Sequence, residues 1–181
     1  MHHDLWDYDL PAPPNLVTVA RAGKNVDAVA QVTKHGFVFV FNRETGEPLF
    51  PIEERKVPAS HIPGEVASPT QPFPIKPKPF ARQWMTEADL THYSDAGRDS
   101  IRKKFRSMRY EGLFTPPDLK GTLMLPGSRG GAEWGGAAYD PLTSVLFVKS
   151  NDSPEIQSMK KVDEEKEAKD QTVFEQGNPF I

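Results

Sequence analysis

The sequence has no cysteine. That removes disulfides, thiolate nucleophiles and cysteine-ligated zinc together, and it leaves the redox compartment open because exported proteins also lack the residue at times. No apolar run approaches the ~20 residues of a bilayer span, so no membrane-crossing helix is expected. There is no surplus of one charge: 22 Lys and Arg face 25 Asp and Glu, a net charge of -3. Electrostatics therefore gives no reason to expect a nucleic-acid or anionic-membrane partner. The chain also opens without the basic and apolar stretches of an export signal. It starts directly on His2, His3, Asp4, Trp6 and Asp7, and it reads as the interior of something longer. Of its 181 residues only 37% are hydrophobic, against 18 prolines and 13 glycines. That profile disfavours a helix bundle.

What is there reads mainly as sheet. Ala28 to Val32 is a short β-prone run, and Phe37-Val38-Phe39-Val40-Phe41 has no polar face, the pattern of a strand covered on both sides. A turn at Asn42 to Gly46 leads into a further strand within Pro48 to Val57. Prolines then recur at Pro58, Pro63, Pro69, Pro72, Pro74, Pro77 and Pro79, which predicts an extended, irregular connection. Thr86 is placed to cap a helix, and a second helical stretch runs from Ser94 to Met108. There Ile101, Phe105 and Met108 form one stripe beside Arg98, Arg102, Lys103, Lys104 and Arg106, a basic face that reads as solvated. Sheet resumes at Gly121 to Leu125. A glycine-rich turn from Gly127 to Gly136 follows, and then two strands, Ala137 to Tyr139 and Ser144 to Lys149, flank Asp140 to Thr143. Ser153-Pro154-Glu155 reads as a helix start, and Asp163 to Asp170 is almost wholly charged and expected to fray. Short strands with Gly- and Pro-rich turns indicate an all-β sandwich or propeller, and periodicity does not choose between them.

The chemistry-bearing residues cluster at the start. Asp4, among His2, His3, Trp6 and Asp7, is a candidate carboxylate in a polar, aromatic-walled pocket, although His2-His3-Asp4 also resembles a metal site, and a frayed terminus or the remnant of a purification tag reads equally well. The continuation decides the matter. The run from His2 through Trp6 and Asp9 to Pro14 resembles a signature of the pyrroloquinoline quinone (PQQ) dependent dehydrogenases of the membrane-bound glucose dehydrogenase type. Lys34-His35-Gly36 through Glu47, Ser68 to Pro74, Arg109 to Pro117 and Glu133-Trp134-Gly135-Gly136 through Pro141 resemble further segments of that family, in its order. The matches run from His2 to about Asn151.

The resemblance implies an eight-bladed β-propeller, of which residues 1–152 would form an interior piece of about three blades. It would carry a helical insertion near 84–108 and a charged tail at 153–181. It also implies PQQ beside a divalent cation, calcium or magnesium, and a sugar or alcohol whose hydroxyl is oxidised. A quinone or cytochrome would be the electron acceptor, in the periplasm. Carried over, Asp4 is the catalytic carboxylate, Lys34 the basic residue at the quinone oxygens, and Trp134 with Glu133 the cofactor's rim. The metal ligands would lie outside this chain, Trp6 would wall the site, and His2 and His3 would support it. Exposed blade faces would favour self-association, and the piece alone would be inactive. A non-catalytic propeller module for interactions is the alternative. A small hydrolase is weakest, since no serine lies in a nucleophile elbow.

Overall fold

The computed structural model describes residues 1–91, 93–161 and the strand at 174–177. Its described part is mostly strand with one α-helix. In order it has β1 (Asn15–Arg21), β2 (Lys24–Val32), β3 (Val38–Asn42), β4 (Ile52–Lys56) and β5 (Thr70–Pro74), then a short 3₁₀ turn (Glu87–Asp89) and α1 (Asp95–Ser107). After these come β6 (Thr122–Met124), β7 (Ala137–Asp140), β8 (Val145–Val148), β9 (Glu155–Lys161) and β10 (Phe174–Gly177). The strands pair antiparallel into four small open sheets: β1-β2-β3, β4-β5, β7-β8 and β10-β9-β6.

β1 was not legible in the sequence. It pairs with β2 through a two-residue hairpin, Arg21 facing Lys24, with Ala22 and Gly23 both at positive φ. Such tight hairpins need positive φ at both central residues, and Asn or Asp is the usual first residue, so Ala22 hides the turn. β3 explains its own all-apolar run. Val38 packs into a cluster with Val17, Ala28, Ala30 and Val32, against which Tyr139, Leu146 and Val148 of the β7-β8 hairpin also pack. Phe37, one step off, belongs to an aromatic cluster with Trp6, Tyr8 and Phe114. Each face of this stretch thus serves a different core, while Phe39 to Phe41 remain half-buried.

Three expectations are corrected. The proline-rich connection is not wholly irregular, because β5 pairs with β4, Ile52 facing Pro74 and Glu54 facing Pro72. The sheet has two strands, so alternate residues of β5 point their amide positions away from the partner. Prolines at 72 and 74 occupy those outward positions at no cost, and Ile75 donates to the Pro51 carbonyl in phase with this register. Second, the helix expected at Thr86 is a single 3₁₀ turn closed by a capping box between Thr86 and Asp89. The main helix starts where Ser94 caps the amide of Gly97. Third, Ser153-Pro154-Glu155 begins strand β9 rather than a helix. Ile156 and Gln157 are buried, and β9 pairs with β6; Ile156 joins Leu123 and Leu125 in a third cluster, on which Phe105 and Met108 of the helical stripe pack. Burial of this segment outweighs its local helix signals. The charged stretch Asp163 to Asp170 lies outside the described residues.

Candidate active site

The site is built on the irregular segment that precedes β1. Trp6 and Tyr8 are fully buried, and each indole or phenol finds a partner, Trp6 Nε1–H donating to the Thr115 carbonyl at 2.8 Å and Tyr8 O–H to the Pro126 carbonyl. Asp7 and Asp9, which follow them in turn, are exposed. Asp7 is held at φ 60, an uncommon conformation for a non-glycine residue that the surrounding anchors must maintain.

Lys34 meets those two carboxylates. Its side chain, 7% exposed, places Nζ 2.5 Å from Asp9 Oδ1, 3.2 Å from Asp7 Oδ2 and 3.7 Å from Glu133 Oε1. It also donates to the Asp7 carbonyl at 2.8 Å. Burial favours loss of the lysine proton, but hydrogen bonds to Asp9 and Asp7 and their charge outweigh it, so the pKa lies above the ordinary lysine value. The group is a cation at every physiological pH.

Lys34 stands where it does because the β2–β3 connection is pinned. Thr33 Oγ1 accepts from the Phe37 amide and donates to the Phe37 carbonyl, both at 2.9 Å. The Gly131 amide donates to the Lys34 carbonyl at 2.5 Å. Gly130, at φ 72, lies so close that a Cβ there would sit 2.6 Å from Lys34 Cβ and Cγ. This is the use of the glycine-rich stretch: it lets backbone press against the lysine stem. Gly130→Ala should therefore displace the ammonium and destabilise the fold by about 1–3 kcal/mol, measured by denaturant unfolding. Unchanged stability would show that the stem is free to move aside.

The other candidates fall out unevenly. Glu133 joins the Lys34 cluster, while Trp134 is 80% exposed. Asp4 is not drawn to Lys34; its Oδ1 accepts the Trp6 amide at 2.9 Å. His2 ties the segment to β4-β5, with Nε2 2.9 Å from Glu54 Oε1 and its backbone exchanging two hydrogen bonds with the Gln71 side chain. Asp9 was missed as a chemistry-bearing residue, and Asp7 was seen only as a neighbour of Asp4. The Trp-Asp-Tyr-Asp run was the signal that could have found them, since burial of the two aromatics leaves the acids beside them for the surface. His35 was missed too: its ring is packed among Tyr8, Phe37, Phe39 and Phe114.

The profile of the PQQ glucose/ethanol/alcohol dehydrogenase β-propeller domain matches residues 1–179. The chain belongs to this family. It is 41% identical over 152 residues to a quinoprotein glucose dehydrogenase of Gluconobacter oxydans (strain 621H), covering 82% of this chain and 18% of that protein. It is 39% identical over 149 residues to the quinate/shikimate dehydrogenase (quinone) of Acinetobacter baylyi (strain ATCC 33305 / BD413 / ADP1), with the same coverage of 82% and 18%. A glycerol dehydrogenase large subunit of Gluconobacter thailandicus is 37% identical over 156 residues, covering 84% of this chain and 21% of that protein. The chain thus spans about a fifth of the length of these relatives. No solved structure matches it.

The residues present fit one end of the family's cofactor. A quinone gains negative charge on its oxygens on reduction, and a buried, pinned ammonium that remains protonated is the group to receive it. No such fit exists for the divalent ion. Among the described residues no group of three or more His, Asp or Glu side chains is arranged to hold a metal.

Proposed function

We propose that this chain is part of a quinoprotein dehydrogenase that oxidises a sugar or alcohol hydroxyl with PQQ, and that Lys34 and Asp7 carry its chemistry. The observation that supports this is the buried Lys34 ammonium held between acidic side chains, with Asp7 Oδ2 at 3.2 Å. The bound quinone supplies the two-electron acceptor. Two particles must then leave the substrate: hydride from the carbinol carbon, and the hydroxyl proton to a carboxylate within hydrogen-bond reach. Asp7 is the acceptor we assign. Asp4, the residue the family resemblance first singled out, spends one oxygen on the Trp6 amide and positions the segment that carries Asp7. Lys34 stabilises negative charge where the quinone oxygens lie, and Glu133 and Asp9 fix its ammonium; Trp134 offers an exposed indole at the cofactor's rim. A propeller architecture with blades completed outside this chain, a periplasmic setting and a quinone or cytochrome as final acceptor belong to the same proposal. The pairing of β9 with β6 supports counting residues 155–161 with the propeller unit rather than with a tail.

Lys34→Ala in the full-length protein is expected to weaken PQQ reconstitution, followed by absorbance titration, and to lower turnover about 10²-fold, the usual cost of one lost charge-stabilising donor. Wild-type affinity and rate would remove Lys34 from the site. The 181-residue chain on its own is expected to self-associate, because Val145 and Phe147 of β8 and the neighbouring Leu142 are exposed and apolar patches of this kind seek cover. Light scattering of a monomer at high concentration would contradict this.

A further inference from the structure

The turn that presses on Lys34 is itself held by one side chain. Gly130 donates to the Gly127 carbonyl at 2.8 Å, which closes residues 127–130 into a tight turn. Its first residue lies directly on Glu155: a Cβ at Gly127 would sit 2.7 Å from Glu155 Cβ and from Glu155 Oε2. That same Oε2 accepts from the Ser128 amide and from the Ser128 hydroxyl, both at 2.7 Å. Hydrogen bonds to a carboxylate are stronger than neutral ones, and two on one oxygen fix the turn against it. Glu155 is half-buried and anchored in β9, where it faces Met124 of β6, and the Gly127 amide donates to the nearby Ser153 carbonyl at 3.2 Å. The residue just before the turn, Pro126, takes the Tyr8 hydroxyl. One carboxylate thus anchors a stretch that meets Tyr8 at its start and the Lys34 stem at its end.

We infer that Glu155 is a positioning residue for the Lys34 ammonium: it sets the turn at 127–130, and the turn sets where the lysine stem can lie. Its bearing on catalysis rests on the reading of Lys34 as the cation at the quinone oxygens. The route is steric. Between Gly130 and the Lys34 stem there is no room for even a methyl group, so a shift of the turn is a shift of the stem. The charges that act on the ammonium are those of Asp7 and Asp9; Glu155 works by placing backbone. A charge-stabilising group must be held within about 0.5 Å of its working position.

The test reads Lys34 directly. Acetic anhydride reacts with the free amine, so a buried, ion-paired lysine is protected. Labelling of the full-length protein without PQQ, quantified at Lys34 by mass spectrometry, reports how firmly the ammonium is held. Glu155→Ala is expected to speed that labelling about tenfold, the usual effect of losing charge-assisted hydrogen bonds. In the reconstituted enzyme it should weaken PQQ binding and lower kcat with the substrate KM unchanged. Glu155→Gln, whose amide oxygen can still accept from Ser128, should label within about twofold of wild type. Ser128→Ala deletes one hydroxyl, keeps the amide donor and should give about a threefold rise, which keeps the inference testable if Glu155→Ala does not fold. Ile156→Ala loosens β9 toward Leu123 and Leu125 and should leave Lys34 as protected as in wild type. Unchanged labelling in Ser128→Ala and in Glu155→Ala would overturn the inference. Equal labelling in Glu155→Ala and Ile156→Ala would also overturn it, by making the effect general loosening, and a Glu155→Gln variant as fast as Glu155→Ala would do so by making charge the cause. The proposed function fails separately: wild-type PQQ affinity in Lys34→Ala removes the lysine from the quinone, whereas the labelling still reports what positions it.

Discussion

Asp7→Asn in the full-length enzyme is expected to lower turnover by about 10²–10⁴-fold with PQQ binding largely preserved, while Asp4→Asn stays within about threefold of wild type. The first figure is the usual contribution of a positioned general base. An amide is nearly isosteric with a carboxylate and can still accept from Lys34, so the asparagine variant removes proton acceptance with little change of shape. The same substitution at Asp4 retains what that residue does in the fold, because an amide oxygen can accept the Trp6 N–H as the carboxylate does at 2.9 Å. Steady-state kinetics on both variants separates the two acids. If Asp4→Asn were the slow one and Asp7→Asn the fast one, the base would be Asp4 and the proposed geometry would be reversed. Asp9→Asn should fall between them, since the 2.5 Å contact from Asp9 Oδ1 to Lys34 Nζ would weaken without loss of the proton acceptor.

The second large effect is on stability. Burial, and after it the positive amino terminus, lowers the His35 pKa from its ordinary 6.5 to about 3. In the unfolded chain the ring takes up a proton as pH falls below about 6.5, whereas the folded chain refuses it until about pH 3. The unfolded state therefore binds more protons through that window, and acid favours unfolding there. Stability is full above about pH 6.5 and should fall by about 1.4 kcal/mol for each pH unit below it, or roughly 2 kcal/mol by pH 5. His35→Phe should remove the slope between pH 6.5 and 5 while filling the same aromatic enclosure. Carboxylates with lowered pKa values, such as Asp118 beside His61 and Asp89 beside Thr86, add their own acid sensitivity only further down. Urea unfolding across pH 5–7.5 is the measurement. A flat profile for the wild-type chain would mean that His35 reaches water before the chain unfolds.

Much of this was legible in the residues. The β3 run, the Asn42 to Gly46 turn, the β7-β8 hairpin and the Ser94-capped helix announce themselves through local signals: apolar runs, turn residues and a cap. The family could be read from motifs in order, because each carries a local backbone demand that survives without tertiary context. Other features are decided by what packs opposite. β5 exists despite its prolines because its sheet has only two strands, so proline's missing donor faces away from the ladder; nothing local to Thr70–Pro74 states how many neighbours it has. β9 is a strand because Ile156 is needed beside Leu123, a contact more than thirty residues away in sequence. The site follows the same division. Sequence by itself determined the family, through an aspartate-rich aromatic segment and the motif that begins at the lysine before β3. Which aspartate meets that lysine was decided only in three dimensions, because burial of Trp6 and Tyr8 leaves Asp7 and Asp9 for the surface.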